Sequence, residues 1–253
     1  LQAGVEIVVG TPGRLLDLSR QGQLKLKEVS RLVLDEADEM LDLGFLPDVE
    51  KILSSTPNRA QTMLFSATMP GPIKQLIQNY MSKQVTQVSA NMETVGNQGI
   101  EHQYIVVEPI EKLDILMHFL NSNEGGRGII FCKTKAAVNK LAKNLAINRF
   151  SSGAIHGSLT QPIRDRIMGQ FREGHINILV ATDLAARGID VQEISYVVNY
   201  HLPDTFETYV HRSGRTARAG KTGVSIAFIL PSELEKIHQI QKDLNIKFSE
   251  VTV

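Results

Sequence analysis

The sequence predicts an α/β protein built from parallel sheets with helices on both faces. Three observations carry this expectation. Strand-like and helix-like stretches alternate along the chain, the apolar run Leu32-Val33-Leu34 is short and bounded by charge as in a buried parallel strand, and a polar, apolar-poor segment at residues 91–99 separates two such series. In the first series the expected strands are Glu6 to Val9, Arg31 to Asp35, Thr62 to Ser66 and Val85 to Val88, with helices over Asp38 to Leu53 and Gly71 to Met81. Residues 91–99 read as a linker. The second series offers Gln103 to Val107, Gly128 to Cys132, Gly153 to His156, Ile176 to Ala181, Tyr196 to Tyr200 and Val224 to Ile229, enough strands for one complete domain. The expected organisation is a first domain at 1–90, the linker at 91–99 and a second domain at 100–253.

Composition bounds the function. A hydrophobic content of 42% and a charged content of 21% are ordinary globular values. Net charge is zero, from 27 basic and 27 acidic residues, so contact with nucleic acid has to come from a local patch. The single cysteine, Cys132, provides neither a disulfide framework nor zinc spacing and reads as a small buried hydrophobe. No secretory apolar region and no run of 18 apolar residues is present, so neither export nor membrane insertion is indicated and a cytoplasmic location is expected.

Two motifs carry chemistry. Asp35, Glu36 and Asp38 follow the apolar run, at the carboxyl edge where open α/β sheets bind ligands. Adjacent carboxylates there repel unless a cation such as Mg²⁺ is close, although acids at a helix N-terminus also favour its dipole. Further on, Arg212, Arg215, Arg218 and Lys221 fall within ten residues, interleaved with Gly214 and Gly220. Such a loop suits phosphate oxygens, and Arg215 with Arg218 are candidate arginine fingers; the rival is a solvated basic loop.

Other residues complete an ordered series. Thr11, Pro12, Gly13 and Arg14 open a helix, where exposed amides and Arg14 suit a nucleic-acid phosphate, or where Thr11 and Pro12 are a plain cap. Ser66 and Thr68 have hydroxyls able to reach Asp38 or His211, or to cap the following helix. Then come the runs 129–135, containing Thr134, the pair His156 and Gly157, Gln161 with Arg164, and the run 181–190, containing Thr182, Arg187, Gly188 and Asp190. The order and spacing of these motifs resemble those of DEAD-box RNA helicases over essentially the full length of the chain.

The resemblance implies two RecA-like modules, the first incomplete at its N-terminus, and ATP hydrolysis coupled to local RNA strand separation or RNP remodelling. By resemblance, Asp35, with Glu36 beside it, holds Mg²⁺ through water, Glu36 orients the attacking water, and Arg215 and Arg218 act as fingers. Gly188 and Asp190 are assigned to ATP, with Asp190 on the ribose, while Asp38, Ser66, Thr68 and His211 couple the motifs. Thr11 to Arg14, Thr134, His156, Gly157, Gln161, Arg164, Thr182 and Arg187 are assigned to RNA, with little sequence preference. Lone polar residues at helix starts are often caps, and a lone histidine is often structural. The linker acts as a hinge in this picture; a monomer is the family default, and the wording of the motifs in this chain looks bacterial.

The chain departs from the family pattern in three places. No phosphate loop of the spacing Gly, any four residues, then Gly-Lys-Thr occurs in the 253 residues, since Gly220-Lys221-Thr222 has Arg215 at the first position; Ala217 stands where glycine is frequent, and His201 stands where an acid is common. The first departure makes the isolated chain an expected RNA-binding piece without turnover of its own. A DNA helicase of the same superfamily is the third reading.

Overall fold

The computed structural model describes residues 4–82, 84–88, 99–186, 191, 193–218 and 220–252. The chain divides into two compact units, Leu1–Val88 and Ser89–Val253. The expected linker lies outside the described residues except for Gly99.

The first unit runs α1 (Pro12–Arg20), a 3₁₀ turn at Leu26–Glu28, β1 (Arg31–Leu34), α2 (Ala37–Asp42), α3 (Leu46–Ser55), β2 (Gln61–Leu64) and α4 (Gly71–Tyr80). β1 and β2 pair in parallel, with Arg31 opposite Gln61 and Leu34 opposite Leu64. Leu34, Val49, Leu53 and Leu76 form the core beneath them. The single helix expected over Asp38 to Leu53 is two, and glycine is the cause. Gly44 takes φ 73°, a left-handed conformation open to glycine, and the amides of Gly44 and Phe45 turn back to the carbonyls of Leu41 and Met40 at 2.9 and 2.8 Å. These two bonds close a Schellman motif that satisfies the end of α2, after which Pro47 starts α3.

Two expected strands are absent among the described residues. Glu6 to Val9 and Val85 to Val88 are β-branched in composition but have no hydrogen-bonded ladder, and Ile7 and Val9 are 81% and 92% exposed. A β-rich sequence becomes a strand only where a neighbour accepts its backbone bonds. β1 is also less buried than its composition suggests, since Val33 is 52% exposed.

The second unit follows the order β3 (Ile100–Val106), α5 (Lys112–Ser122), β4 (Gly128–Phe131), α6 (Lys135–Ile147), β5 (Ser152–Ile155), α7 (Gln161–Arg172), β6 (Ile178–Ala181), α8 (Asp183–Ala186), β7 (Tyr196–Asn199), α9 (Phe206–Ser213), β8 (Gly223–Ile229), α10 (Leu234–Leu244) and β9 (Phe248–Glu250). Its sheet has seven strands in the order β5-β6-β4-β7-β8-β3-β9, all parallel. The central strands β4, β6 and β7 are buried on both faces. Alternate residues serve opposite layers: Ile130, Val180 and Val198 pack with Leu116, Val138 and Leu145, whereas Ile129, Leu179 and Val197 pack with Met168 and Phe171. Gly128 is required by close approach, because a Cβ there would lie 1.8 Å from the Tyr196 ring. The short strand β9 was not expected; Phe248-Ser249-Glu250 is too brief to show a periodicity, and it is recruited by the edge of β3. Several expected strands run one or two residues past the ladder, and those overhanging residues, Asp35, Ser66, Cys132, His156 and Tyr200, stand at the carboxyl edges. No helix among the described residues is long and apolar enough to cross a membrane.

Candidate functional site

In the first unit the turn after β1 carries the acidic motif. Asp35 and Glu36 are exposed, and Glu36 adopts φ 52° and ψ 51° as it caps α2. A left-handed residue with a Cβ costs about 1 kcal/mol or more, so the surrounding bonds have to hold it there. They do so from several sides. The Glu36 amide donates to Asp35 Oδ1 at 3.0 Å, and the Ala37 amide donates to the Phe65 carbonyl at 3.0 Å. Asp38, only 4% exposed, accepts from the Thr68 amide at 2.8 Å and from Thr68 Oγ1 at 3.0 Å through one oxygen, and from the Glu39 amide at 3.1 Å through the other. The Asp38 amide donates to Ser66 Oγ at 3.1 Å, and Ser66 Oγ donates to the Thr68 carbonyl at 2.7 Å. Asp38 is thus a buried staple joining the turn after β1 to the turn after β2, and each hydrogen bond to its charge contributes roughly 1.5–3 kcal/mol. The result is two exposed carboxylates at a strand end, fixed by a third that is not exposed.

Asp35 and Glu36 are hard oxygen donors on adjacent residues. They fit a Mg²⁺ ion that takes its other ligands from phosphate and water, which is how this ion is usually held. Among the described residues no group of three or more His, Cys, Asp and Glu is arranged to hold a metal by protein ligands alone. Elsewhere in this unit, Thr11 precedes α1 without a side-chain cap bond, Pro12 is buried in the first turn, and Arg14 is exposed in an ion pair with Asp17 at 2.7 Å. Thr11, Gly13 and Arg14 therefore present an open helix start, while Pro12 shapes it from within.

In the second unit the candidates gather at the carboxyl edge of the large sheet. Thr134 caps α6, its Oγ1 accepting from the Ala137 amide at 3.1 Å. His156, 4% exposed, pairs Nε2 with Asn139 Oδ1 at 3.0 Å, while its Nδ1 is buried without a partner among the described residues. Gly157 is exposed, Gln161 begins α7 and donates to Asp165 at 2.8 Å, and Arg164 Nη2 donates to the Ala185 carbonyl at 3.4 Å. The Thr182 carbonyl accepts from the Ala185 and Ala186 amides, each at 3.0 Å, which starts α8. Arg187, Gly188 and Asp190 lie outside the described residues.

The basic motif divides in two. Arg212, expected beside Arg215 and Arg218 as a phosphate-facing cation, is 3% exposed and committed inside the fold. Its Nε and Nη2 donate to the two carboxylate oxygens of Asp183 at 2.5 and 2.9 Å, and its Nη1 donates to Asn199 Oδ1 at 2.9 Å and to the His201 carbonyl at 2.7 Å. The guanidinium also lies over the Phe131 ring, 5.0 Å from its centroid. Helical spacing explains the correction, because Arg212 is three residues after the buried Tyr209 and shares its inner face. Asp183 and Asn199 were not singled out in the sequence; the signal that could have found Asp183 is an acid one residue past a fully apolar strand, whereas Asn199, inside β7, is marked only as a polar residue in an apolar run.

Arg215 and Arg218 are half-buried on the turn beyond α9. Arg215 Nε donates to the His211 carbonyl at 3.2 Å, and Arg218 Nε donates to the Gly214 carbonyl at 2.9 Å. They line a cavity of about 140 Å³ together with Glu193, Ile194 and Lys221. The hydrogen bond from Lys221 at 2.8 Å lowers the Glu193 carboxyl below its ordinary range. Ala217, where glycine is frequent in the resembling family, has φ 55°. The backbone there needs the left-handed region, which is the physical reason glycine suits it. His201 keeps a buried Nδ1 without a partner among the described residues, and burial, with Lys112 and Arg212 nearby, lowers its pKa.

The similarities to known proteins agree with this geometry. A sequence model of the DEAD/DEAH box helicase family matches residues 1–76, and one of the helicase conserved C-terminal domain matches residues 111–220. The chain is 43% identical over 246 residues to a DEAD-box ATP-dependent RNA helicase CshA of Geobacillus kaustophilus, covering 97% of this chain and 52% of that protein. It is 42% identical over 252 residues to the Bacillus subtilis protein of the same name, covering 99% and 51% respectively. The chain thus spans about half the length of the curated relatives it matches. Among solved structures, S. cerevisiae Dbp5 bound to RNA and ADP BeF3 has a TM-score of 0.88 at 34% identity, with 96% of this chain and 64% of that one covered. A DEAD box protein from Methanococcus jannaschii has a TM-score of 0.59 at 42% identity, with coverages of 97% and 66%.

Parallel sheets with charged turns at their carboxyl ends, matched to these structures, define the RecA-like α/β class. The chain belongs to the DEAD-box helicase family.

Proposed function

We propose that this chain is part of an ATP-dependent RNA helicase that hydrolyses ATP on RNA and uses the cycle to open short duplexes or remodel ribonucleoprotein. The observation that carries the reading is the exposed Asp35-Glu36 pair on a left-handed turn, stapled from beneath by Asp38 and Thr68. It is supported by relatives named ATP-dependent RNA helicases and by a similar structure bound to RNA and ADP BeF3.

Each unit supplies one set of groups. In the first, Asp35, with Glu36 beside it, would hold Mg²⁺, and Glu36 orients or deprotonates the attacking water. Mg²⁺, when bound, neutralises charge on the phosphate oxygens. Asp38, Ser66 and Thr68 fix the turn that carries both carboxylates. In the second, Arg215 and Arg218 stabilise negative charge developing on the transferred phosphoryl group, with Gly188 and Asp190 assigned to the nucleotide and His211 to coupling. Thr11, Gly13, Arg14, Thr134, Gly157, Gln161, Arg164, Thr182 and Arg187 hold RNA through phosphates and sugars, while Pro12 and His156 shape those turns from inside. The protein is proposed to work in the cytoplasm as a monomer.

The test is RNA-stimulated phosphate release by the chain joined to the phosphate-loop segment of a relative. Glu36→Gln is expected to lower turnover by roughly 10²-fold or more, and Arg215→Ala or Arg218→Ala by about 10³-fold. Turnover that survives Glu36→Gln would falsify the assignment. Equal stimulation by DNA of the same sequence would move the reading to a DNA helicase, since the 2′-hydroxyl is the group that differs.

A further inference from the structure

We propose that Asp183, acting through Arg212, is a positioning residue that ties the turn at residues 182–186 to helix α9, so that the RNA-facing and phosphate-facing residues of the second unit shift as one body. The proposal rests on the helicase reading above for what those residues contact, but the tie itself is a matter of geometry.

Helix α8 stands between the two sets. On one side it meets candidate RNA residues: the Thr182 amide donates to the Ile155 carbonyl at 3.3 Å at the end of β5, and Arg164 Nη2 donates to the Ala185 carbonyl at 3.4 Å. A Cβ placed on Gly157 would lie 3.7 Å from Leu184 Cδ2, so the His156-Gly157 turn also rests on this helix. On the other side both oxygens of Asp183 take the paired N–H groups of Arg212 in a bidentate ion pair, the strongest and most directional contact available to these side chains. Arg212 in turn sits within α9, and the backbone around it carries the candidate fingers. The His211 carbonyl accepts from Arg215 and the Gly214 carbonyl accepts from Arg218. A displacement of α8 by RNA is therefore transmitted to the turn that aims Arg215 and Arg218.

Arg212 is not itself a ligand contact in this arrangement. It is 3% exposed, and Asp183, Asn199, the His201 carbonyl and the Phe131 ring occupy its surroundings. A merely structural pair would hold a buried charge neutral and do nothing more. Asn199 offers a way to separate the two roles. It is fully buried, its Oδ1 already accepts from Arg212, and its Nδ2 has no partner among the described residues. In Asp183→Asn with Asn199→Asp, a carboxylate still neutralises Arg212, but from β7, leaving α8 with at most the one neutral hydrogen bond that an asparagine Oδ1 accepts in place of the bidentate ion pair.

The kinetic arm uses the loop-bearing protein described above. Asp183→Asn is expected to lower RNA-stimulated kcat by roughly tenfold to a hundredfold, the scale of a small misplacement of catalytic groups. KM for ATP and nucleotide-free RNA affinity are expected to change by about twofold or less, the pattern of a lost alignment and not of lost binding. The double variant is expected to regain thermal stability without regaining kcat. Recovery of kcat together with stability overturns the proposal, as does wild-type kcat in Asp183→Asn. If Asp183→Asn does not fold, the double variant alone decides on the same criterion.

The second arm is spectroscopic and uses the 253-residue chain. The Arg212 Nε–H resonance is expected to be protected from solvent exchange, and the Ala185 and His211 amides to shift together in the double variant. A fast-exchanging Arg212 Nε–H, or a shift confined to one of the two amides, overturns the tie whatever the kinetics show. Absence of turnover in the unaltered loop-bearing protein defeats the helicase reading alone and leaves this second arm to decide the tie.

Discussion

In the first unit the carboxylates of Asp35 and Glu36 stand exposed on a left-handed turn, and a buried charge beside them, Asp38, is satisfied mainly by backbone and hydroxyl groups of neighbouring turns. In the second unit the arrangement is inverted. Arg212, on α9, is buried beside a seven-stranded sheet and answered by a full opposite charge, Asp183, while its neighbours Arg215 and Arg218 rest on carbonyls at the edge. The difference follows from how much apolar structure each unit describes. A sheet with two strands among the described residues, which leaves Val33 52% exposed and Phe65 just beyond it 55% exposed, gives few positions dry enough to strengthen an ion pair. A sheet whose central strands are covered on both faces provides such positions, and an unpaired charge there is costly.

The sharpest way to break this comparison is to remove the buried cation. Arg212→Leu is expected to destabilise the second unit by about 3–5 kcal/mol, read from urea melting of that unit, because it leaves Asp183 and Asn199 without their partner. A loss below about 1 kcal/mol would mean that the pair behaves like a surface salt bridge. The matching change in the first unit is Asp38→Ala, expected to cost about 2–3 kcal/mol by stranding the Thr68 and Glu39 donors. Should Asp38→Ala prove the more damaging of the two, the contrast between the units would be reversed.

Two smaller changes test strain on equal terms. Glu36 and Ala217 both have positive φ, at 52° and 55°. Glu36→Gly and Ala217→Gly are each expected to raise stability by up to about 1 kcal/mol, since glycine enters the left-handed region without a Cβ penalty. Only the first is expected to lose turnover, because only it removes a group that acts on the attacking water; calorimetry, and phosphate release by the loop-bearing protein carrying each change, give the answer.

The smallest expected effect is a pH dependence. Burial, then the charges of Lys112 and Arg212, lowers the His201 pKa, with Lys133 acting in the same direction and Glu233 against it. The folded state therefore favours the neutral ring, and the unfolded state binds more protons. Stability attributable to this residue is full above the ordinary histidine value near 6.5 and falls as pH drops through that value toward the depressed folded one. His201→Asn is expected to flatten the slope of melting temperature against pH over that window, and an unchanged slope would assign it to other groups.

The elements that decide the site were legible to different degrees. The strand-turn-helix at Asp35 could be read because an apolar run that meets paired acids has few other folds available, and the central strands of the second unit were marked by continuous apolar runs. Gly44 was visible as a possible stop, but the apolar periodicity continues past it and masks the break. Glu36 gave no warning of its left-handed backbone, since φ is imposed by the two turns around it and leaves no mark on composition. Arg212 was misread because residue type alone suggested phosphate; the spacing from Tyr209 to Arg212 held the correction. The partnership with Asp183 spans 29 residues and is visible only once β6, β7 and α9 are assembled.

Cys132 lies directly beyond β4, fully buried, and burial pushes its thiol up to about 12. While the large sheet is closed, almost no thiolate exists and no reagent can reach it. It is also the only sulfhydryl in the chain. The rate at which a thiol reagent labels this protein is therefore a clock for the opening of one strand of the second unit, and it records nothing of what the first unit does.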